Sequence, residues 1–174
     1  LYGGIVMNIR KSNENDASSI MELVHQAQDY FRRSNIDQWQ DGYPKIENIL
    51  EDIQKGCSYV LEDQQKIIGT MYFAIEEDVN YHHIDGQWKT SHQPYAVIHR
   101  IVVDEKHKGQ NLAALLLSYV VNTCLNLKVA SIRIDTHEDN LSMQRFLKKN
   151  GFELCGGITL QSGAPRIGFE KIIE

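Results

Sequence analysis

Val97-Ile-His-Arg-Ile-Val-Val-Asp-Glu-Lys-His-Lys-Gly-Gln-Asn-Leu-Ala-Ala-Leu-Leu-Leu117 holds two hydrophobic periods back to back. Val97, Ile98, Ile101, Val102 and Val103 are β-rich and nearly continuous, which predicts a buried strand. Leu112, Leu115, Leu116, Tyr119, Val120 and Cys124 then recur at helical spacing, predicting a helix from near Gly109 to about Leu127. A helix N-terminus presents unpaired N–H groups and partial positive charge, so the turn between the two can hold a phosphate or pyrophosphate. Gly109 permits positive φ or close backbone approach, Asn111 tolerates the left-handed region, Ala113 leaves space and Lys108 adds a point charge. A capped strand–helix junction without a ligand fits the same residues, and spacing alone leaves both readings open.

Upstream, residues 8–12 predict a short strand, and Asn15 or Asp16 can cap a helix carrying Ile20, Leu23, Val24, Ala27 and Phe31 on one face. Residues 35–43, with Trp39, Gly42 and Tyr43, read as a loop. Pro44 suits the first turn of a second helix with the stripe Ile46, Ile49, Leu50 and Ile53, ending at Gly56. Residues 58–62 and 66–76 predict strands joined by Asp63-Gln64-Gln65, and residues 78–94 an irregular connection or short extra strands. Downstream, residues 129–135 predict a buried strand, 140–149 a helix stopped by Asn150-Gly151, and 152–158 and 167–173 two further strands. This order predicts an α/β fold: a single mixed, mostly antiparallel sheet with helices on both faces, and a parallel pair at the strand–helix–strand unit.

At 174 residues the chain predicts one domain, residues 7–174; residues 1–6 precede Met7, which reads as the natural start, and are set apart as a non-native remnant. Hydrophobic residues at 42% and charged residues at 24% exclude a disordered chain. The longest apolar stretch, Leu112 to Val121, is about half a membrane span, so no membrane association is expected. A net charge of −5 gives no reason to expect a nucleic-acid partner. Cys57, Cys124 and Cys155 are too scattered for a disulfide framework or a CxxC metal site; they read as core residues of a reducing compartment. No basic n-region is seen, so a cytoplasmic location is expected.

A second stretch, Asn140-Leu-Ser-Met-Gln-Arg-Phe-Leu-Lys-Lys-Asn-Gly-Phe152, adds a helix framed by Asn and Gly-Phe. Together with Lys108-Gly109-Gln110-Asn111-Leu112-Ala113 it resembles the GNAT superfamily of acyl-CoA-dependent N-acetyltransferases. That family carries Arg/Gln-x-x-Gly-x-Gly/Ala after a strand, then Asn, a helix and Gly-Phe. Asn140, Gly151 and Phe152 match in register; Lys108 replaces Arg or Gln, and Asn111 replaces a glycine. The resemblance covers Met7 to Ile173.

It implies a GNAT-like fold and acetyl-CoA as cosubstrate, with no metal. Pantetheine would pair with backbone groups of Ile101, Val102 and Val103 like an added strand. The pyrophosphate would sit on N–H groups of Lys108, Gly109, Gln110, Asn111, Leu112 and Ala113. Asn140 would contact the cofactor arm, and it also suits an N-cap of its own helix. Leu147 stands where the family often has a tyrosine that protonates the leaving thiolate, which puts that acid in doubt.

His99 matches a position where some members carry a proton-relaying His or Glu, and strand alternation puts it on the face of Ile101 and Val103. A primary amine is almost entirely protonated at neutral pH, so a proton acceptor helps its attack; a buried histidine bonded to backbone is the alternative. Trp39 and Tyr43, with Gln38, fall where the family builds one acceptor-site wall, and pack the loop onto the sheet in the alternative reading. Arg166 faces the acceptor side by the same analogy and could grip a substrate carboxylate or pair with a surface acid. Glu76-Glu77-Asp78 reads as a solvated strand end, His137 as a loop brace, and His25 and His107 as surface. His82, His83 and His92 lack a tight ligand spacing such as HExxH.

The expectation is acetyl transfer from acetyl-CoA to a primary amine by direct attack on the thioester, the acceptor being a small molecule or a peptide. Competing readings are a non-catalytic acyl-CoA-binding sensor or interaction domain, and a metal-dependent hydrolase built on the histidines. Oligomeric state is not legible, a homodimer being one option.

Overall fold

The computed structural model describes residues 7–174, and the proposed remnant, residues 1–6, lies outside the described residues. In chain order the elements are β1 (Met7–Lys11), α1 (Ala17–Arg33), α2 (Ile46–Gln54), β2 (Ser58–Asp63), β3 (Lys66–Ile75), β4 (Asp85–Gly86), β5 (Ala96–Val103), α3 (Leu112–Leu127), β6 (Ser131–Thr136), α4 (Leu141–Lys149), β7 (Glu153–Thr159) and β8 (Pro165–Ile172). One mixed sheet of eight strands runs in the order β1-β2-β3-β5-β6-β8-β7-β4. β5 and β6 are parallel, through Ala96↔Ile132 and Val97↔Arg133, whereas β1–β2, β2–β3, β6–β8, β7–β8 and β4–β7 are antiparallel. The mixed α/β sheet expected from the element order is borne out. The chain divides into two compact units, one running to Phe73 with Arg100–Tyr119, the other Ala74–His99 with Val120–Glu174.

In the first unit, Ala17, Ile20 and Val24 of α1, Ile49 of α2 and Val60 of β2 form one buried cluster, flanked by Met21, Ile53 and Ile67. Each large aliphatic side chain there contributes roughly 1.5–3 kcal/mol through removal from water. Arg10 ties the cluster's rim together: Nε donates to Glu62 at 2.7 Å, and its two Nη atoms donate to Asp16 at 2.8 and 3.0 Å. Asp16 also accepts from the Asn13 N–H at 2.8 Å, so the start of α1 is built by Asn13 and Asp16 together through a short 3₁₀ turn, not by a single Asn15 or Asp16 cap.

Three expectations about the helices need correction. α2 begins at Ile46, after Pro44, with the Lys45 N–H bonded to Asn48 Oδ1 at 2.8 Å. Its buried face is Ile49 and Asp52, with Ile53 half-buried, whereas Ile46 and Leu50 are exposed. Half of the predicted stripe, Ile49 and Ile53, thus faces inward, and Asp52 shares that face. α3 begins at Leu112 and not Gly109, because Gly109 (φ 83) and Asn111 (φ 56) both sit in the left-handed region, which a right-handed helix excludes.

The second unit is pinned by Glu170 of β8, a fully buried carboxylate. It accepts from the backbone N–H groups of Lys89 at 2.6 Å and Thr90 at 3.2 Å, from Thr90 Oγ1 at 2.6 Å and from Arg133 Nε at 3.1 Å. Burial pushes this carboxyl up, but the hydroxyl and guanidinium donors outweigh it and hold it below the usual range. The Arg133 guanidinium lies over the rings of Trp88, at 4.4 Å, and Tyr95, at 4.0 Å. Residues 78–94 are therefore anchored although they contain little regular structure. Of the cysteines, Cys124 is buried as expected, but Cys57 and Cys155 are half-exposed and all three are free thiols.

Candidate active site

β5 carries the first element of the site. Its chain leaves the extended region at Arg100, whose φ is 49. A single left-handed residue inside a strand interrupts alternation, so the simple two-residue placement of His99 with Ile101 and Val103 does not carry across it. Ile101 and Val103 are half-buried and Val102 is buried.

In the first unit, Arg100 is held on three sides. Nε and Nη2 each lie 2.8 Å from an oxygen of Asp52, Nη1 donates to the Tyr43 hydroxyl at 2.5 Å, and the guanidinium sits 4.9 Å from the Tyr72 ring centre. Tyr43 keeps about a third of its surface exposed (37%). Trp39 has φ 59 and packs edge-on against Phe31, with ring centres 5.7 Å apart, so its indole is braced by α1.

The same unit builds the turn ahead of α3. Asp104 Oδ1 accepts from the Lys106 N–H at 3.1 Å and from Gln26 Nε2 at 3.3 Å, while Gln26 Oε1 accepts from the Glu105 N–H at 3.1 Å. One α1 amide thus fixes both sides of the loop entrance. Lys108 Nζ lies 5.3 Å from the Tyr30 ring centre. Gly109 has nothing within 4 Å of a Cβ position, so its glycine is required by φ 83 rather than by crowding, and backbone on that side is open to an incoming group. Gln110 and Asn111 are exposed, Leu112 is buried and Ala113 half-buried. His107, read as surface, is instead largely enclosed (21% exposed), its Nδ1 3.4 Å from Asp104.

In the second unit, His99 Nε2 lies 2.7 Å from Asp78 Oδ2, with 21% and 11% of the two side chains exposed. Asp78 was expected at a solvated strand end. Glu76 and Glu77 are indeed exposed, but Asp78 turns inward as the cap of a 3₁₀ turn, Val79–Tyr81, accepting from the Asn80 N–H at 2.9 Å. Burial pushes its carboxyl up, but His99 and the Asn80 N–H outweigh this and hold it below the ordinary range. Tyr81 is buried, donates to Asp135 Oδ2 at 2.7 Å and lies 6.0 Å from the His99 ring centre. Burial, followed by the Asp135 charge, keeps its phenol well above the ordinary value, so it acts as a donor.

Asn140 caps α4 by accepting from the Met143 N–H at 3.2 Å and is buried. Leu147 is fully enclosed, at 1% exposure. Arg166 donates to the Pro165 carbonyl at 2.7 Å. His137 Nδ1 accepts from the Asp139 N–H at 3.0 Å, bracing its loop as expected. A cavity of about 540 Å³ in this unit is lined by Asn80, His82, His83, Asp85, Thr159 and Gln161, among others, and not by His99 or Arg166. Among the described residues no group of three or more His, Cys, Asp or Glu side chains is arranged to hold a metal, and no helix is long and apolar enough to cross a membrane. Burial pushes the Cys124 thiol up to about 11 and raises that of Cys155, so neither offers a ready nucleophile.

The first unit holds a strand end with a left-handed residue and a turn of left-handed residues opening a helix; the second holds an Asn-capped helix followed by Gly-Phe. The sequence profile of the acetyltransferase (GNAT) family matches residues 22–152, and the chain belongs to that family of acetyltransferases. An uncharacterized N-acetyltransferase of Bacillus subtilis strain 168, YesJ, is 25% identical over 147 residues, 81% of this chain and 78% of that protein. A GNAT-family acetyltransferase from Streptococcus agalactiae 2603 has the same fold at a TM-score of 0.87, with 30% identity over 98% of this chain and 99% of that one. The PaiA N-acetyltransferase of Thermoplasma acidophilum, solved in complex with coenzyme A, shares the fold at a TM-score of 0.73 and 15% identity, covering 97% of this chain and 99% of that one.

Proposed function

We propose that this acetyltransferase moves an acetyl group from acetyl-CoA to a primary amine by direct attack, acting in the cytoplasm on a small-molecule or peptide acceptor. The observation that carries the reading is the turn before α3, where Gly109 (φ 83) and Asn111 (φ 56) are both left-handed beside Lys108. The N–H groups of Lys108 and Gln110 already donate to the carbonyls of Glu105 and His107, each at 3.3 Å, so a pyrophosphate would fall to the other N–H groups of this turn. The coenzyme A held by the T. acidophilum neighbour supports the same cosubstrate.

In this reading residues 108–113 hold the pyrophosphate, and the backbone of Ile101, Val102 and Val103 pairs with pantetheine. Asn140 touches the cofactor arm while capping α4. The amine nitrogen attacks the thioester carbon, whose oxygen is polarised by backbone N–H near Ile101 to Val103. The C–S bond breaks and coenzyme A leaves as thiolate; a thiol of ordinary acidity, pKa about 8.5, is a fair leaving group without the tyrosine that Leu147 replaces. The amine proton passes to His99, directly or through a water. Trp39, Tyr43 and Arg166 belong to the acceptor end, Tyr43 offering an exposed ring and Arg166 a guanidinium for a carboxylate.

Thermal unfolding with millimolar acetyl-CoA tests the cofactor half: a ligand that binds only the native state raises the midpoint. A rise of several degrees is expected, smaller with truncated analogues, and no shift overturns the assignment. A panel of polyamines, aminoglycosides, amino acids, peptides and lysine derivatives, followed by release of free thiol, tests the transfer. The buried Leu147 favours one second reading, acyl-CoA binding without turnover; a thermal shift with no thiol released on any amine selects it.

A further inference from the structure

We infer that Gln26 of α1 is the positioning residue for the turn ahead of α3: its side-chain amide holds Asp104 and the Glu105 N–H together, so that the turn is shaped for a pyrophosphate before the cofactor arrives. This rests on the reading of residues 108–113 as the pyrophosphate site and adds a residue outside the turn that sets its affinity.

Gln26 Oε1 accepts from the Glu105 N–H at 3.1 Å, and Nε2 donates to Asp104 Oδ1 at 3.3 Å. An amide offers a donor and an acceptor on one carbon; a carboxylate in its place would lack the donor. An N–H on one side and a carboxylate on the other leave one orientation for the amide. The Asp104 end is rigid. Asp104 is buried, its backbone N–H donates to the Ile68 carbonyl at 2.8 Å, and its Oδ1 also accepts from the Lys106 N–H at 3.1 Å. Its carbonyl accepts from the His107 N–H at 3.0 Å, closing a 3₁₀ turn over Glu105–His107. Burial pushes the Asp104 carboxyl up, but the Lys106 N–H and the Gln26 amide outweigh it and hold it below the ordinary range. Tyr30 and Arg33 follow Gln26 at helical spacing and share its face of α1. Lys108 Nζ lies 5.3 Å from the Tyr30 ring centre and Arg33 Nη2 3.8 Å from Glu105 Oε2, so one stripe of α1 meets residues 104–108 at successive points. The Arg33 pair is exposed and adds little, which leaves the half-buried Gln26 as the main brace. Gln26 bonds to residues 104 and 105, ahead of residues 108–113, so it acts through the turn. A turn already held in shape avoids the cost of ordering on binding, and the saving appears as affinity.

Calorimetric titration with acetyl-CoA and amide hydrogen exchange of the unliganded protein test the brace. Gln26→Met keeps the length of the side chain and removes both hydrogen bonds. It should weaken acetyl-CoA binding by roughly tenfold, the scale of one or two lost hydrogen bonds. Amides of residues 106–111 should exchange faster, and those of β1 and β2 at the wild-type rate. With the best amine of the panel, KM for acetyl-CoA should rise by the same factor while kcat stays within about twofold. Gln26→Glu keeps the acceptor for the Glu105 N–H but sets a second negative charge against Asp104. Once protonated, its carboxyl regains one donor and one acceptor, the pattern of the amide. Its affinity, taken relative to wild type at the same pH, should therefore be low in mild alkali and recover in mild acid. The charges of His107 and Lys66 that also act on Asp104 are common to both proteins. Wild-type affinity in both variants overturns the proposal while the cofactor reading stands, as does a Gln26→Glu affinity that follows wild type at every pH. Wild type that binds no acetyl-CoA overturns the cofactor reading, and the proposal with it. If Gln26→Met does not fold, or exchanges faster throughout, the pH profile of Gln26→Glu decides.

Discussion

Arg100 and Asp52 meet as a two-pronged ion pair, both contacts at 2.8 Å, joining the left-handed residue of β5 to the last turn of α2. Their side chains are only 16% and 10% exposed, so neither charge has bulk water as an alternative partner. Asp52→Ala is expected to destabilise the fold by about 3 kcal/mol, since it strands a guanidinium away from solvent. Tyr43→Phe, which removes the acceptor at 2.5 Å but keeps the ring, should cost about 1 kcal/mol. Urea unfolding of the three proteins checks both; equal stability of Asp52→Ala and wild type would refute the clamp.

Asn111 stands at φ 56, where the family motif has glycine. Asn111→Gly should bind acetyl-CoA within about twofold of wild type, because glycine reaches this region without steric cost. Asn111→Val should lose roughly tenfold or more, because a β-branched residue there faces a penalty of at least 1–2 kcal/mol. Calorimetric titration decides; equal affinities would mean that the backbone conformation is irrelevant to binding.

His99→Ala should lower the transfer rate by roughly 10²-fold, the lower end for a positioned acid–base group. High pH should partly restore it, since the free amine then needs no acceptor. His99→Gln keeps polarity and size but does not titrate. A Gln variant with wild-type rate and pH profile would make the residue structural.

Asp16 contributes to the pH dependence of stability in the first unit. The Arg10 hydrogen bond comes first among its causes, burial opposes it, and the Asn13 N–H and the Arg10 charge add to it, so the carboxyl is held below its ordinary range. A folded-state value below the unfolded one stabilises at neutral pH, and that stabilisation is lost as pH falls from the unfolded value, about 4, through the folded one. Asp16→Asn should therefore be less stable by about 2 kcal/mol at pH 7 and should converge with wild type in strong acid. Parallel pH curves in urea unfolding would contradict it.

The strands, the helices and the left-handed turn before α3 were legible because each rests on local periodicity or on a residue with unusual backbone tolerance. What sequence reading missed are pairs distant along the chain. Asp78 looked like the tail of an acidic run; the one local clue was Asp-Val-Asn, a spacing in which the first side chain caps the third N–H, as it does here. Its partner His99 lies 21 positions on, beyond any local pattern. Asp52 went unremarked inside an apolar helix stripe, and the left-handed Arg100 is hidden in an otherwise regular β-rich run. Side chains of the proposed acceptor end, Trp39, Tyr43 and Arg166, were nominated by family resemblance, and their neighbours could come only from the folded chain.

β4 is two residues long, and it ends the sheet beside β7. Gly86 and Gly156 let the two backbones approach so closely that a Cβ on either would overlap the opposing carbonyl. β7 itself slips register between Leu154 and Gly156. A short terminal strand against an irregular neighbour makes a poor template for a foreign strand. The border of the sheet is thereby blunted against edge-to-edge aggregation, and the two glycines guard the solubility of the chain as much as its shape.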